Sequence, residues 1–185
     1  MPGMDMGAGG GSAVLVLAEL ALFWTATVVH VLRLLSPTRL PDTDRLADAG
    51  HAVMGVGMTV MVFPGVSAGA LRLVAMGYAV LAVVFLARAA ARRRPTTHRG
   101  QYAAIGASQA AMAYMFSAPA HQPSWLPLGV AAVLAVCALV HGRRLIDERH
   151  QHDAGATAAP RMLVTVPHLG VLAMTVAMAV MVGSA

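Results

Sequence analysis

The chain has 185 residues, of which 58% are hydrophobic and 11% charged, and its mean hydropathy is +0.69. That balance excludes an ordinary soluble domain and falls in the range of membrane proteins. All thirteen basic residues are arginine, giving a formal net charge of +5, but they sit in short clusters between apolar runs with no interleaved aromatics, which excludes a nucleic-acid groove.

A hydrocarbon core of about 30 Å needs about 20 helical residues at about 1.5 Å rise each. Residues 1–12, MPGMDMGAGGGS, are predicted to form a flexible external tail carrying Met4 and Met6, without the basic start of a cleaved signal peptide. Residues 13–185 are predicted to form one transmembrane domain of six helices. The spans run from Ala13 to Leu35, Leu46 to Phe63, Ala70 to Ala91, Gly100 to Ser117, Trp125 to His141 and Leu163 to Val182. Arg39 and Arg45, then Arg92 to Arg94 and Arg99, then Arg143, Arg144, Arg149 and Arg161 mark three of the connecting loops as cytoplasmic. The expected fold is therefore all-α: three helical hairpins in the plasma membrane, with both termini outside.

The returning helix of each hairpin ends alike, in MTVMVFPG, MAYMFSAP and MAVMVGSA, a weak threefold repeat. Methionines concentrate on these helices as Met54, Met58 and Met61, then Met112 and Met115, then Met174, Met178 and Met181, with Ser108 standing where a methionine would complete the second set. The other three spans carry only Met76. At about 100° per residue, Met54, Met58 and Met61 lie at roughly 0°, 40° and −20° around their helix, with His51 at about 60°. Met112 and Met115 fit the same arc, and so do Met174, Met178 and Met181; His168 lies roughly 120° from Met174 and is expected to face another neighbour. Three similar helices are thus expected to present one face to a common interior.

Methionine also fills irregular gaps between helices, so a stripe of it at helical spacing is compatible with simple packing. Two features point further. Thioether sulfur is a soft ligand suited to Cu(I), and MxxxM places two on one face. Histidine is costly within a bilayer unless it is paired or lines a polar cavity. His30, His51, His98, His141 and His168 all map to the cytoplasmic half or edge, while the methionines map to the outer half.

On Met4 and Met6, the pairs Met54 with Met58 and Met174 with Met178, and the GxxxG spacing of Gly65 and Gly69, the chain resembles the Ctr-type copper transporters. That family has three spans, forms trimers and ends in a Cys/His motif, whereas six spans are expected here, the GxxxG falls in a loop, and the terminal motif is absent. The resemblance implies similar ligand chemistry. The wider pattern, six spans with His and Met on returning helices in Lys-free sequence, also resembles an uncharacterised actinobacterial family of small multipass membrane proteins, which implies no activity.

Other residues have weaker claims. Glu19 is the acid nearest the middle of a span, either functional or paired at the outer surface with Arg72, and Asp48 lies near the inner edge of the second span. His30 with Arg33, and His141 with Arg143 and Arg144, are expected to be interfacial helix ends. His150 to Asp153 is expected to be a solvated loop, Trp125 an outer anchor, Trp24 a packing residue between helices, and Cys137 a buried small hydrophobe. There is no HExxH, no P-loop and no GxGxxG after a strand, and the loops are short, so an enzyme is not expected.

The function expected from the residues is binding and transport of a soft metal ion, Cu(I), through Met54, Met58, Met61, Met112, Met115, Met174, Met178 and Met181. Met4 and Met6 stand at its outer end, with His51 and His168 at its inner end. The alternatives are a b-type haem electron-transfer protein and a ligand-free subunit of a larger membrane complex. The expected partners are the bilayer, the ion, a second copy or a membrane complex, and no nucleic acid.

Overall fold

A computed structural model gives the fold of residues 11–35, 44–62, 65–91, 96–117, 125–153 and 161–183. Met4 and Met6 lie outside the described residues, as do the side chains of Glu19, His98 and Met181. The described residues form six helices: α1 Gly11–Leu35, α2 Arg45–Val62, α3 Ala68–Ala90, α4 Thr96–Ser117, α5 Trp125–Asp153 and α6 Arg161–Gly183.

Local chemistry sets two of the helix starts. Asp44 caps α2, its Oδ1 accepting the backbone N–H of Leu46 at 3.1 Å and of Ala47 at 3.3 Å. Its other oxygen accepts from the Tyr102 hydroxyl, tying the start of α2 to α4. Ser67 caps α3 in the same way, accepting from Ala70 N at 3.3 Å. Gly65 precedes it with φ 91°, a left-handed conformation that favours glycine.

The helices pack most extensively as α1 with α2, α3 with α4, and α5 with α6, and contacts of α1 with α6, α2 with α4, and α4 with α5 join these hairpins. Each helix buries one stripe at helical spacing, such as Phe23, Ala26, Thr27 and His30 on α1 and Ala75, Tyr78, Ala82 and Phe85 on α3. Glycines on α2 permit close approach. A Cβ at Gly55 would overlap the Thr27 hydroxyl of α1, and one at Gly57 would overlap the Tyr78 hydroxyl of α3.

The outward faces are apolar too. Leu73, Val80 and Val83 of α3 and Leu128, Val136 and Leu139 of α5 are exposed. Among the described residues, two segments, Ala68–Ala90 and Trp125–Arg143, are long and apolar enough to cross a membrane; Leu20–Leu35 and His168–Val180 are shorter apolar stretches. Of the six helices among the described residues, two thus carry a segment long and apolar enough to cross a membrane, where six spans were expected. In α2 and α4 the shortfall comes from glycines and buried polar side chains among the apolar residues.

Three expectations need correction. The fifth helix does not stop at His141 but continues to Asp153, so His150 to Asp153 is helical backbone and not loop. Trp24 is 51% exposed and faces outward instead of packing between helices. Gly69 belongs to α3, so only the Gly65 end of the GxxxG lies in a turn.

Candidate functional site

The interior has two zones along its axis. Toward the end where α2 and α6 finish, Met54 and Met58 of α2, Met112 of α4, and Met174 and Met178 of α6 belong to one buried cluster, each at most 1% exposed. Phe23, Tyr78 and Phe116 pack with them, the last two rings stacked at 5.6 Å. Met61 and Met115 are half-buried against the same cluster. Met76, on α3, is 58% exposed. The helices thus separate the described methionines by face: Met54, Met58, Met112, Met174 and Met178 turn inward and Met76 of α3 outward.

The opposite end, where α1 finishes and α2 and α6 begin, is polar. A small cavity of about 30 Å³ is lined by the imidazoles of His30, His51, His141 and His168 together with Arg33 and Asp48. The His30 and His51 rings lie 4.8 Å apart between centroids, and His51 and His141 lie 5.9 Å apart, edge to face. His168 therefore shares a cavity with His51 in place of facing a separate neighbour. His30 and His141 are buried, not interfacial as the arginines beside them suggested.

The polar partners are unevenly distributed. Asp48 Oδ1 accepts from His30 Nδ1 at 2.7 Å, and Arg33 Nε donates to Oδ1 at 3.1 Å and Oδ2 at 3.3 Å. A carboxylate can only accept, so Nδ1 of His30 carries the proton, and the neutral form of that tautomer has its lone pair on Nε2. That Nε2 is buried without a hydrogen-bond partner, as are both ring nitrogens of His51. Deeper in, Gln109 Nε2 donates to the carbonyl of Gly50 at 2.9 Å, leaving Gln109 Oε1 and the hydroxyl of Ser108 buried and unpartnered. Buried polar atoms are normally satisfied, so these unpaired atoms on α1, α2 and α4 are unusual.

His30 was detectable in principle, since it falls in phase with Phe23, Ala26 and Thr27 on the inward stripe of α1. Its carboxylate partner was not, because that pairing depends on how α1 and α2 meet. Among the described residues, no three or more His, Cys, Asp or Glu side chains already stand as a group that could hold an ion.

One string escaped the motif reading. Gly65-Val66-Ser67-Ala68-Gly69 has the GxSxG spacing of a nucleophile elbow. An elbow needs a strand before the serine, and the described residues contain no strand; Ser67 is exposed and its hydroxyl caps α3. Cys137 is buried, its thiol 3.8 Å from the carbonyl of Ala104.

No curated protein and no solved structure matches the chain. Over residues 43–185, which include Asp48, His51, His141, His168 and every methionine of the buried cluster, it matches the family described as domain of unknown function DUF5134, and the chain belongs to that family.

Proposed function

We propose that the protein is a multipass protein of the plasma membrane, its termini outside, that binds a soft metal ion, Cu(I), and passes it along the bundle interior. The observation that carries this reading is convergence. Methionines from three different helices meet in one buried cluster, and Val171 of that cluster also lines a cavity formed by four imidazoles. Thioethers offer shallow, exchangeable sites for a soft ion, and conduction needs sites that are several and weak. The matched residues that resemble the Ctr-type transporters carry the same ligand chemistry. Membrane residence is supported by the mean hydropathy of +0.69 and by the outward apolar faces of α3 and α5.

The cavity of about 30 Å³ has the volume of one small ion or water, which favours an ion over a haem macrocycle between the histidines. Metal analysis of the detergent-purified protein, with an optical spectrum of the same sample, tests the reading. Stoichiometric copper without a Soret band supports it. A Soret band turns it to the haem alternative, and a metal-free, colourless protein after copper loading leaves the methionines as packing.

A further inference from the structure

We infer that His30, His51 and His141 form an imidazole site for a single copper ion at the polar end of the bundle, with Asp48 as the residue that positions His30. The inference rests on the soft-metal reading above and adds to it the ligands that receive the ion.

Four observations meet at this point. Asp48 fixes the proton of His30 on Nδ1, which leaves Nε2 as the free donor of a cavity-lining ring, buried and unpartnered. A carboxylate behind a ligating histidine is the usual device for setting its tautomer and raising its basicity. His51 is 5% exposed with neither ring nitrogen hydrogen-bonded, so nothing in the structure accounts for the cost of burying it. Third, the ring spacings are right. Around an ion with metal–nitrogen bonds of about 2.0–2.1 Å, imidazole centroids stand roughly 5–5.5 Å apart in trigonal or tetrahedral geometry, and the observed values are 4.8 and 5.9 Å. Finally, the cavity has room for one ion.

The donors are not yet gathered as a three-ligand group. Closing it requires the His51 ring to turn, and no hydrogen bond holds that ring in place. His30, by contrast, is held by Asp48, which Arg33 in turn anchors on α1. One fixed ligand and one free to turn would let the site take an ion from the thioethers without dismantling the bundle. Imidazole suits copper and is harder than thioether, so the site sits at the end of a gradient of ligand softness.

The experiment uses the full chain in detergent, loaded anaerobically with one equivalent of Cu(I) and measured by copper K-edge X-ray absorption. Nitrogen scatterers with the outer-shell pattern of imidazole are expected. Met58→Leu with Met178→Leu should bind less copper and keep that pattern in the copper that remains bound. His51→Gln should lose part of it, and Asp48→Asn should weaken Cu(I) binding against a competing chelator roughly 10- to 100-fold. A merely structural Asp48 would leave the affinity of the folded fraction unchanged, which overturns its positioning role. Sulfur-only scattering in the unsubstituted protein overturns the imidazole site while leaving the soft-metal reading intact. Failure of the unsubstituted protein to bind copper overturns both. Because the first measurement needs no substitution, misfolding of a variant cannot protect the proposal.

Discussion

The two ends of the bundle interior solve the burial problem differently. At the methionine end, large apolar side chains fill the space between α2, α4 and α6, with phenyl and phenol rings packed among them. The side chains named there have reason to be buried, since each thioether gains dispersion contacts and the Tyr78 hydroxyl donates to the Val53 carbonyl at 2.6 Å. At the histidine end, polar nitrogens are buried without partners around a small void. Packing alone accounts for the first region and not for the second, so the histidine end is where chemistry is to be sought first.

Substitutions sharpen this contrast in descending order of effect. Asp48→Ala removes the acceptor shared by the buried Nδ1 of His30 and the part-buried guanidinium of Arg33, which should cost about 3–5 kcal/mol; denaturant unfolding of the detergent-solubilised protein measures it. Met112→Ala, at a fully buried position, should cost about 2–5 kcal/mol by the same assay. Gly57→Ala should follow at about 1–3 kcal/mol, because its methyl must displace the Tyr78 hydroxyl or the tip of Met112.

The fourth test could break the contrast. Met58→Leu with Met178→Leu conserves volume and should cost less than about 1.5 kcal/mol per site. Under the proposed function it nevertheless lowers the copper content found by metal analysis; unchanged copper would make that end packing alone. Met76→Leu, on the exposed face of α3, should change stability by no more than about 0.5 kcal/mol and leave copper content as it was.

Much of the architecture was legible in the sequence, for identifiable reasons. Arginine clusters between apolar runs divided the chain into three hairpins, and the structure packs α1 on α2, α3 on α4, and α5 on α6, although Arg143, Arg144 and Arg149 lie within α5 and not in a loop. The methionine spacing of 3 and 4 matched the helical repeat, so the inward placement of Met54, Met58, Met112, Met174 and Met178 followed from periodicity. Trp24 stands one residue, about 100°, from Phe23 on the inward stripe of α1 and turned outward, so here the stripe was a better guide than the aromatic side chain. Hydropathy also ends a span where polar residues begin, whereas helix formation does not; the run Arg143 to Asp153 holds several good helix formers, and α5 continues through it. The histidine site was half visible. That the imidazoles gather at one end followed from their positions along the chain, but the contact of His30 with Asp48 depends on side-chain geometry between two helices.

The contact between His30 and Asp48 also bears on the order in which the molecule assembles. It closes across 18 residues within the first hairpin. Such a short loop is cheap to close, so α1 and α2 can dock before the rest of the chain has folded. His141 arrives only with the third hairpin, much later in the chain. Half of the site is thus built by an early local event and half by a late one. Under the proposed function, ion affinity rises only once the last hairpin has docked, and a captured ion would report completed folding.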